Sequence, residues 1–512
     1  MRNRESGGEK RSVFMHHRRK NEKERNSRLI STGRSTTMVA TYQKGRARTM
    51  KAGRVTDFTR GSIPRHLIVF SIPMLLGNLL QTLYNTVDSI WVGRFLGPEA
   101  LAAVSVSFPI VFLLVAFTTG LSMAAGVMVA QYFGAGKEEE VRRTATASTV
   151  LLTLLGTGAM VAGLVLHRAL LSLIRTPSGI FELATSYLFF FLLGLPFMFL
   201  YNNIGSVLRG VGDSKTPLLL LVYATLLNIV LDPLLILGIP PFPRLGVAGA
   251  AIATTVSQGF SAILGTVILK RGGFFVFRRS HLIPCPSFVR TLFRLGLPAG
   301  AQQTIVSLGH LAMMSIVNGF GKTVVAAFGA ATRVDQFSFL PALSFSLAIS
   351  SLAGQNVGAQ NFTRAREVAR WGAIVAASFA LPVSFLVFFL APQLIRIFTT
   401  DPEVIRIGIE YLRIVSFSYV PFALMFAYNG FLRGAGDTFQ TMVNTLLTLW
   451  LVRIPVAKLL SLTSLAERGI WVSFVAGPVA GYLIAYLYYA SGRWESKAIV
   501  RKDRESFQEA AC

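Results

Sequence analysis

The chain has 512 residues, of which 52% are hydrophobic and only 14% charged, with 39 Phe and a formal net charge of +26. A soluble chain needs roughly a quarter of its residues charged to cover its surface, so a water-soluble globular protein is excluded. The positive charge invites a nucleic-acid reading, but much of it is local: residues 1–60 hold 17 Lys/Arg against five Asp/Glu, a net +12.

That N-terminal stretch is polar, has no helical periodicity and lacks the apolar run of a signal peptide, so disorder is expected. It admits three readings: a phosphate-binding arm, a basic cytoplasmic tail that helps fix topology, or a start assigned too early. The last is favoured, because MKAGRVTDFTRGSIPRHLIVF from Met50 is a compact beginning for a membrane protein. No nucleic-acid partner is expected.

From residue 63 to residue 490, apolar runs of about 20 residues recur, each long enough to cross a hydrocarbon core roughly 30 Å thick. Twelve are read: 64–92, 100–131, 145–167, 181–204, 217–238, 247–269, 291–318, 325–353, 371–391, 404–430, 440–460 and 470–490. The expected fold class is an all-α polytopic membrane protein seated in a lipid bilayer.

The first run carries an acid, Asp88, inside LYNTVDSIWVGRFLG. A charge at the centre of a membrane helix costs at least roughly 2.5–3.5 kcal/mol, so it needs a partner or a task. Gln81, Tyr84, Asn85 and Asp88 share one helical face, and a polar stripe of this kind should face a cavity rather than lipid. In the fifth run Asn228 and Asp232 also share a face, and Pro233 is expected to disturb the helix there and free nearby carbonyls. The sixth run supplies a hydroxyl at Thr254 or Thr255.

Basic residues cluster in alternate loops: Lys137, Arg142 and Arg143; Arg209 and Lys215; Lys270 through Arg294; and Arg364, Arg366 and Arg370. Twelve spans put these loops and both termini on one side, which the positive-inside rule makes cytoplasmic in a cell (inner) membrane. Cys285 and Cys512 lie in no CxxC or His-rich setting, so no metal cluster is implied.

A repeat organises the whole. QYFGAG at 131–136 returns as QNVGAQ at 355–360, and LRGVGD at 208–213 as LRGAGD at 432–437, both 224 residues on. The expected organisation is an extension at 1–61, a first lobe of six helices at 62–270, a cytoplasmic connector at 271–289, a second lobe of six at 290–492 and a cytoplasmic tail at 493–512. Two parallel lobes imply a transporter with its cavity between them. LRGxGD has no preceding strand and too few glycines for a phosphate loop, and no Walker motif occurs, so the energy source must be a gradient.

These motifs resemble the multidrug and toxic compound extrusion (MATE) family, bacterial NorM/DinF type. The resemblance rests on GSIPRHLIVFSIPMLLGNLLQTLYNTVDSIWVGRFLG, QYFGAG, LRGVGDSKTP, NIVLDPLLI, GAATRVDQFSFLPA and the second LRGAGD, over roughly residues 58–490. It implies export of organic, often cationic compounds against inward proton or sodium flow, by alternating access in a non-enzymatic monomer. It places coupling on Asp88, Asn228, Asp232 and Thr254, with Tyr84 and Asn202 as neighbours.

Chemically, two carboxylates, an amide and a hydroxyl suit sodium. Equally, a buried acid can hold a proton and trade it for a substrate. No cofactor beyond the coupling ion is expected. The second lobe departs from the pattern: Ile454-Pro455 stands where the first has Asp-Pro, with Arg453 nearby and no acid, and Gln302 and Gln303 stand where some relatives have Glu. That confines coupling to the first lobe.

Asp335 is expected either to pair with a cation or to touch a cationic substrate, with Gln303, Gln336, Phe337 and Met313 as further cavity candidates, alongside Met74, Phe108, Met198 and Phe345. Glu410 and Arg413 are expected to form an intrahelical ion pair. The alternatives are a flippase for lipid-linked sugars, which would want a more cationic cavity, and a membrane-embedded enzyme, for which no metal or nucleophile constellation is found.

Overall fold

A computed structural model describes residues 55–500; the expectations for residues 1–54, including Met50 as the start, and for 501–512 lie outside the described residues. Apart from Arg271–Gly273, the described residues belong to one compact unit. Span 1 is Ile63–Leu96, span 2 Pro98–Gly134 and span 3 Glu138–Leu173. Span 4 is a bent pair, Ser178–Leu193 with Leu195–Gly210, followed by span 5, Lys215–Leu237, and span 6, Val247–Arg271. The second set repeats this plan: span 7 Pro286–Asn318, span 8 Lys322–Gly358, span 9 Phe362–Arg396, bent span 10 Pro402–Ser416 with Tyr419–Ala435, span 11 Thr438–Ser461 and span 12 Glu467–Ala490.

Among the described residues, nine helices are long and apolar enough to cross a membrane, or eleven if each bent pair is one span. The twelfth is span 7, whose apolar character is diluted by Arg290, Arg294, Gln302, Gln303 and His310. Its place in the repeat makes it the counterpart of span 1.

The bends were not legible in the sequence. Span 4 turns by 49° and span 10 by 47°. At the first elbow a Cβ on Gly194 would stand 2.5 Å from the Oγ1 of Thr255 in span 6, so only glycine lets the two helices meet. Gly194→Leu is expected to cost about 1–3 kcal/mol of stability through overpacking. Thermal denaturation of the purified protein measures it, and an unchanged midpoint would refute the packed elbow. In span 11 the chain passes through a π-turn, Leu447–Arg453, two residues before Pro455. Such turns often mark functional positions.

The lobes are not separate bundles. The beginning of span 1 (Ile63, Leu67, Phe70 and Met74) is buried in a cluster with Phe345, Ile349 and Phe431 of the second lobe. Conversely Leu292 and Leu295 of span 7 are buried with Leu121, Met128 and Phe199 of the first. Each lobe's leading helix therefore crosses into its partner. Small residues permit this: a Cβ on Gly120 of span 2 would strike the backbone of Gly296 and Gly300 in span 7.

Both flanking segments correct the expected boundaries. Residues 55–61 are packed rather than a free extension, with Phe58 only 1% exposed. After span 12 a short 3-10 helix, Arg493–Lys497, buries Trp494 against Phe431. The connector is tied to span 3 by Val276 N–H donating to Thr146 Oγ1 (3.1 Å) and by His281 with Glu139 (3.0 Å), and span 7 begins at Pro286 rather than at 290.

Candidate functional site

The side chains that sequence spacing marks in the first lobe are brought together by spans 1, 5 and 6. Tyr84 OH donates to Thr254 Oγ1 at 3.0 Å, which selects Thr254 over its neighbour; Thr255 Oγ1 instead donates to the Phe190 carbonyl at 3.3 Å. Asn228 Nδ2 donates to Asp232 Oδ1 at 3.1 Å, and both residues are buried. Asp232 lies within the electrostatic field of Asp88, and both acids act on Tyr84. Two acids sharing a desolvated setting repel unless a cation lies nearby or one carries a proton.

Three buried oxygens in this cluster have no hydrogen-bond partner among the described residues: Asp88 Oδ1, Asn228 Oδ1 and Asp232 Oδ2. All three are acceptors, and leaving such groups unsatisfied costs about 1–3 kcal/mol each. This donor set fits a small cation, because it offers only oxygens, and it fits a proton equally well. No group of three or more His, Cys, Asp or Glu side chains that could hold a metal occurs among the described residues. A sodium ion here would thus draw on two acids, an amide oxygen and a hydroxyl.

The expected break at Pro233 is absent. The helix Lys215–Leu237 runs through it and keeps Asp232 in helical geometry. Proline still lacks an N–H, so the carbonyl four residues earlier, that of Ile229, loses its usual partner. The stripe on span 1 also divides. Tyr84 and Asp88 are half-buried and turned toward spans 5 and 6, whereas Gln81 and Asn85 are exposed and bonded to each other at 3.2 Å. Asn202 donates to its own helix, to the Met198 carbonyl at 2.9 Å, and no hydrogen bond joins it to the acids; its neighbour Asn203 is the fully buried one and donates to Thr149 Oγ1. Tyr187 of span 4, which also feels Asp88, was missed. It stands among phenylalanines with no spacing to single it out.

The second lobe holds a different cluster. Asp335 of span 8 is buried and accepts from Tyr411 OH and Tyr419 OH, each at 2.6 Å. Arg333 is not its partner, the guanidinium lying 5.8 Å from the Phe398 ring. Arg453 at the end of the π-turn feels both Asp335 and Tyr411, and its guanidinium lies 3.5 Å over the Phe474 ring. The remaining expectations divide. Met313 is buried in the second lobe's core, and Met74, Met198 and Phe345 are likewise core side chains rather than cavity lining. Gln303, Gln336 and Phe337 are exposed, as is Phe108. Glu410 pairs with Arg468 of span 12 at 2.5 Å, because Arg413 turns to the Phe388 ring instead.

The MatE family model matches twice, over residues 73–234 and 298–459, one copy to each lobe. The chain belongs to the MATE family of membrane transporters. It is 36% identical over 440 residues to the probable multidrug resistance protein YpnP of Bacillus subtilis (strain 168), covering 86% of this chain and 98% of that one. It is 31% identical over 446 residues to a probable multidrug resistance protein NorM of Thermotoga maritima, covering 86% and 95%. It is also similar to a structure described as the outward-facing conformation of a multidrug resistance MATE family transporter, with a TM-score of 0.80, 26% identity and coverage of 87% and 99%. As a MATE transporter the protein is not an enzyme, and its two lobes are the two halves of a MATE fold.

Proposed function

We propose that this MATE transporter is a secondary active efflux antiporter, exporting organic, often cationic compounds in exchange for protons or sodium ions. The observation that carries this is the first-lobe cluster of unpartnered acceptor oxygens on Asp88, Asn228 and Asp232. Such a cluster gains a cation or a proton from one side and must give it up when substrate binds or the lobes reorient. The basic loops and both flanking segments gather at one end of the bundle, and that end is assigned to the cytoplasm of a cell (inner) membrane. The chain works as a monomer, since one copy carries both lobes.

A single charge crossing 100 mV releases roughly 2.3 kcal/mol, enough for about a 50-fold substrate gradient. The test is ethidium movement in proteoliposomes under an imposed proton or sodium gradient. Accumulation driven by either gradient supports antiport, whereas movement that ignores both refutes it.

A second reading, transfer of an anionic or lipid-linked substrate, draws on Arg433. This half-buried cation donates to Ser346 Oγ at 2.6 Å and reaches Met123 of the other lobe at 3.7 Å, with no carboxylate among its hydrogen-bond partners in the described residues. Absence of ethidium transport would favour that reading.

A further inference from the structure

The two repeated motifs, QYFGAG/QNVGAQ and LRGVGD/LRGAGD, are left unexplained by the ion cluster. The structure joins them crosswise. Gln131, ending span 2 of the first lobe, donates through Nε2 to the carbonyl of Gly434 in the second lobe's LRGAGD at 2.9 Å. Its repeat counterpart Gln355, ending span 8, donates to the carbonyl of Gly210 in the first lobe's LRGVGD at 3.0 Å. Both glutamines are fully buried, so each bond exists only while the lobes touch.

The other end of each amide is occupied with the same symmetry. Gln355 Oε1 accepts from Phe58 N–H, just before span 1, at 2.8 Å. Gln131 Oε1 accepts from Ile499 N–H, just after span 12, at 2.8 Å. Asn356 and Arg364 add donors to the Phe58 carbonyl, and Gln360 Nε2 donates to the Val500 carbonyl. Here too the helices are in backbone contact: a Cβ on Gly134 would run into the Gln355 carbonyl, and one on Gly358 into that of Gln131.

We propose that Gln131 and Gln355 are paired latches of the transport cycle: each holds the opposite lobe's LRGxGD glycine and one flanking segment of the chain, and both must release for the lobes to part on this face. They are positioning residues, since they touch neither ion nor substrate. A glutamine suits the task because one planar amide both donates to the opposite lobe's motif and accepts from the segment that flanks that lobe. The lobe separation rests on the alternating-access reading, but its test does not require transport.

The experiment places spin labels at Lys215 and Phe439, both exposed and each just beyond its lobe's LRGxGD motif, in a chain whose Cys285 and Cys512 are replaced by serine. The wild-type chain is expected to give mainly one short distance by double electron–electron resonance. Gln131→Ala and Gln355→Ala each remove two amide bonds and should raise the long-distance population at least about fivefold, the equivalent of about 1 kcal/mol for one net hydrogen bond. Gln355→Glu keeps an acceptor for Phe58 but loses the donor to Gly210, and should behave like the alanine variant. A merely structural role would broaden the distances or lower the yield without adding a distinct long component. Unchanged distances in correctly folded Gln131→Ala, Gln355→Ala and Gln355→Glu proteins would overturn the proposal. A shift in distance without any ethidium transport would sustain the latches and remove the multidrug reading instead.

Discussion

Asp88→Asn is expected to abolish the coupling of ethidium movement to an imposed ion gradient. The substitution keeps size and hydrogen-bonding capacity but removes the charge that a proton or sodium ion neutralises. It also ends the repulsion between position 88 and Asp232, so the cluster no longer needs a cation to be stable. The roughly 50-fold substrate gradient that one charge per 100 mV sustains should fall to about one, while downhill movement persists. Ethidium accumulation in proteoliposomes at equal protein content measures this. Full accumulation in Asp88→Asn would remove the first-lobe mechanism and turn attention to Asp335.

The second large effect is on stability. Replacing Asp335 by Leu should destabilise the protein by about 3–5 kcal/mol, the cost of breaking a buried charge cluster from one side. Arg453 would be left without the carboxylate whose field it feels, its Nε and Nη2 already lacking hydrogen-bond partners among the described residues, and two tyrosine hydroxyls would lose their acceptor. Tyr411→Phe removes one of those two bonds and should cost only about 1–3 kcal/mol. Unfolding of the purified variants in the same detergent compares them. Equal losses for the two would contradict the ranking, and a stable Asp335→Leu would show that the cluster is not held by its charge. Tyr411→Phe is also expected to leave ion coupling intact, because the second lobe's acid is satisfied by hydroxyls and takes no part in the first-lobe cluster.

Hydropathy and the repeat spacing located the spans and the parallel lobes, because long apolar runs and duplicated motifs are properties of the chain itself. The partnership of Asn228 with Asp232 was legible for the same reason: four residues apart on a helix is a contact. What was hidden lay in contacts between distant helices. Nothing near Asp335 announces Tyr411 and Tyr419, which arrive from another span across a bent helix. The Glu410–Arg413 pair looked sound by spacing, yet Arg468 of span 12 offered the acid a closer partner. Pro233 misled because a proline inside a membrane helix can be absorbed by its neighbours, and Met313 misled because a methionine reads alike in a core and in a cavity.

The proposed antiport requires substrate and coupling ion to share the charge of the first-lobe acids, and equilibrium binding tests that claim most directly. Ethidium affinity of the purified protein would be measured by fluorescence while proton or sodium concentration is varied, in wild type and in Asp88→Asn. Wild-type affinity is expected to weaken as the coupling ion rises, and the Asp88→Asn protein to lose this dependence. Wild-type affinity indifferent to both ions, or a dependence that survives in Asp88→Asn, would contradict the shared charge.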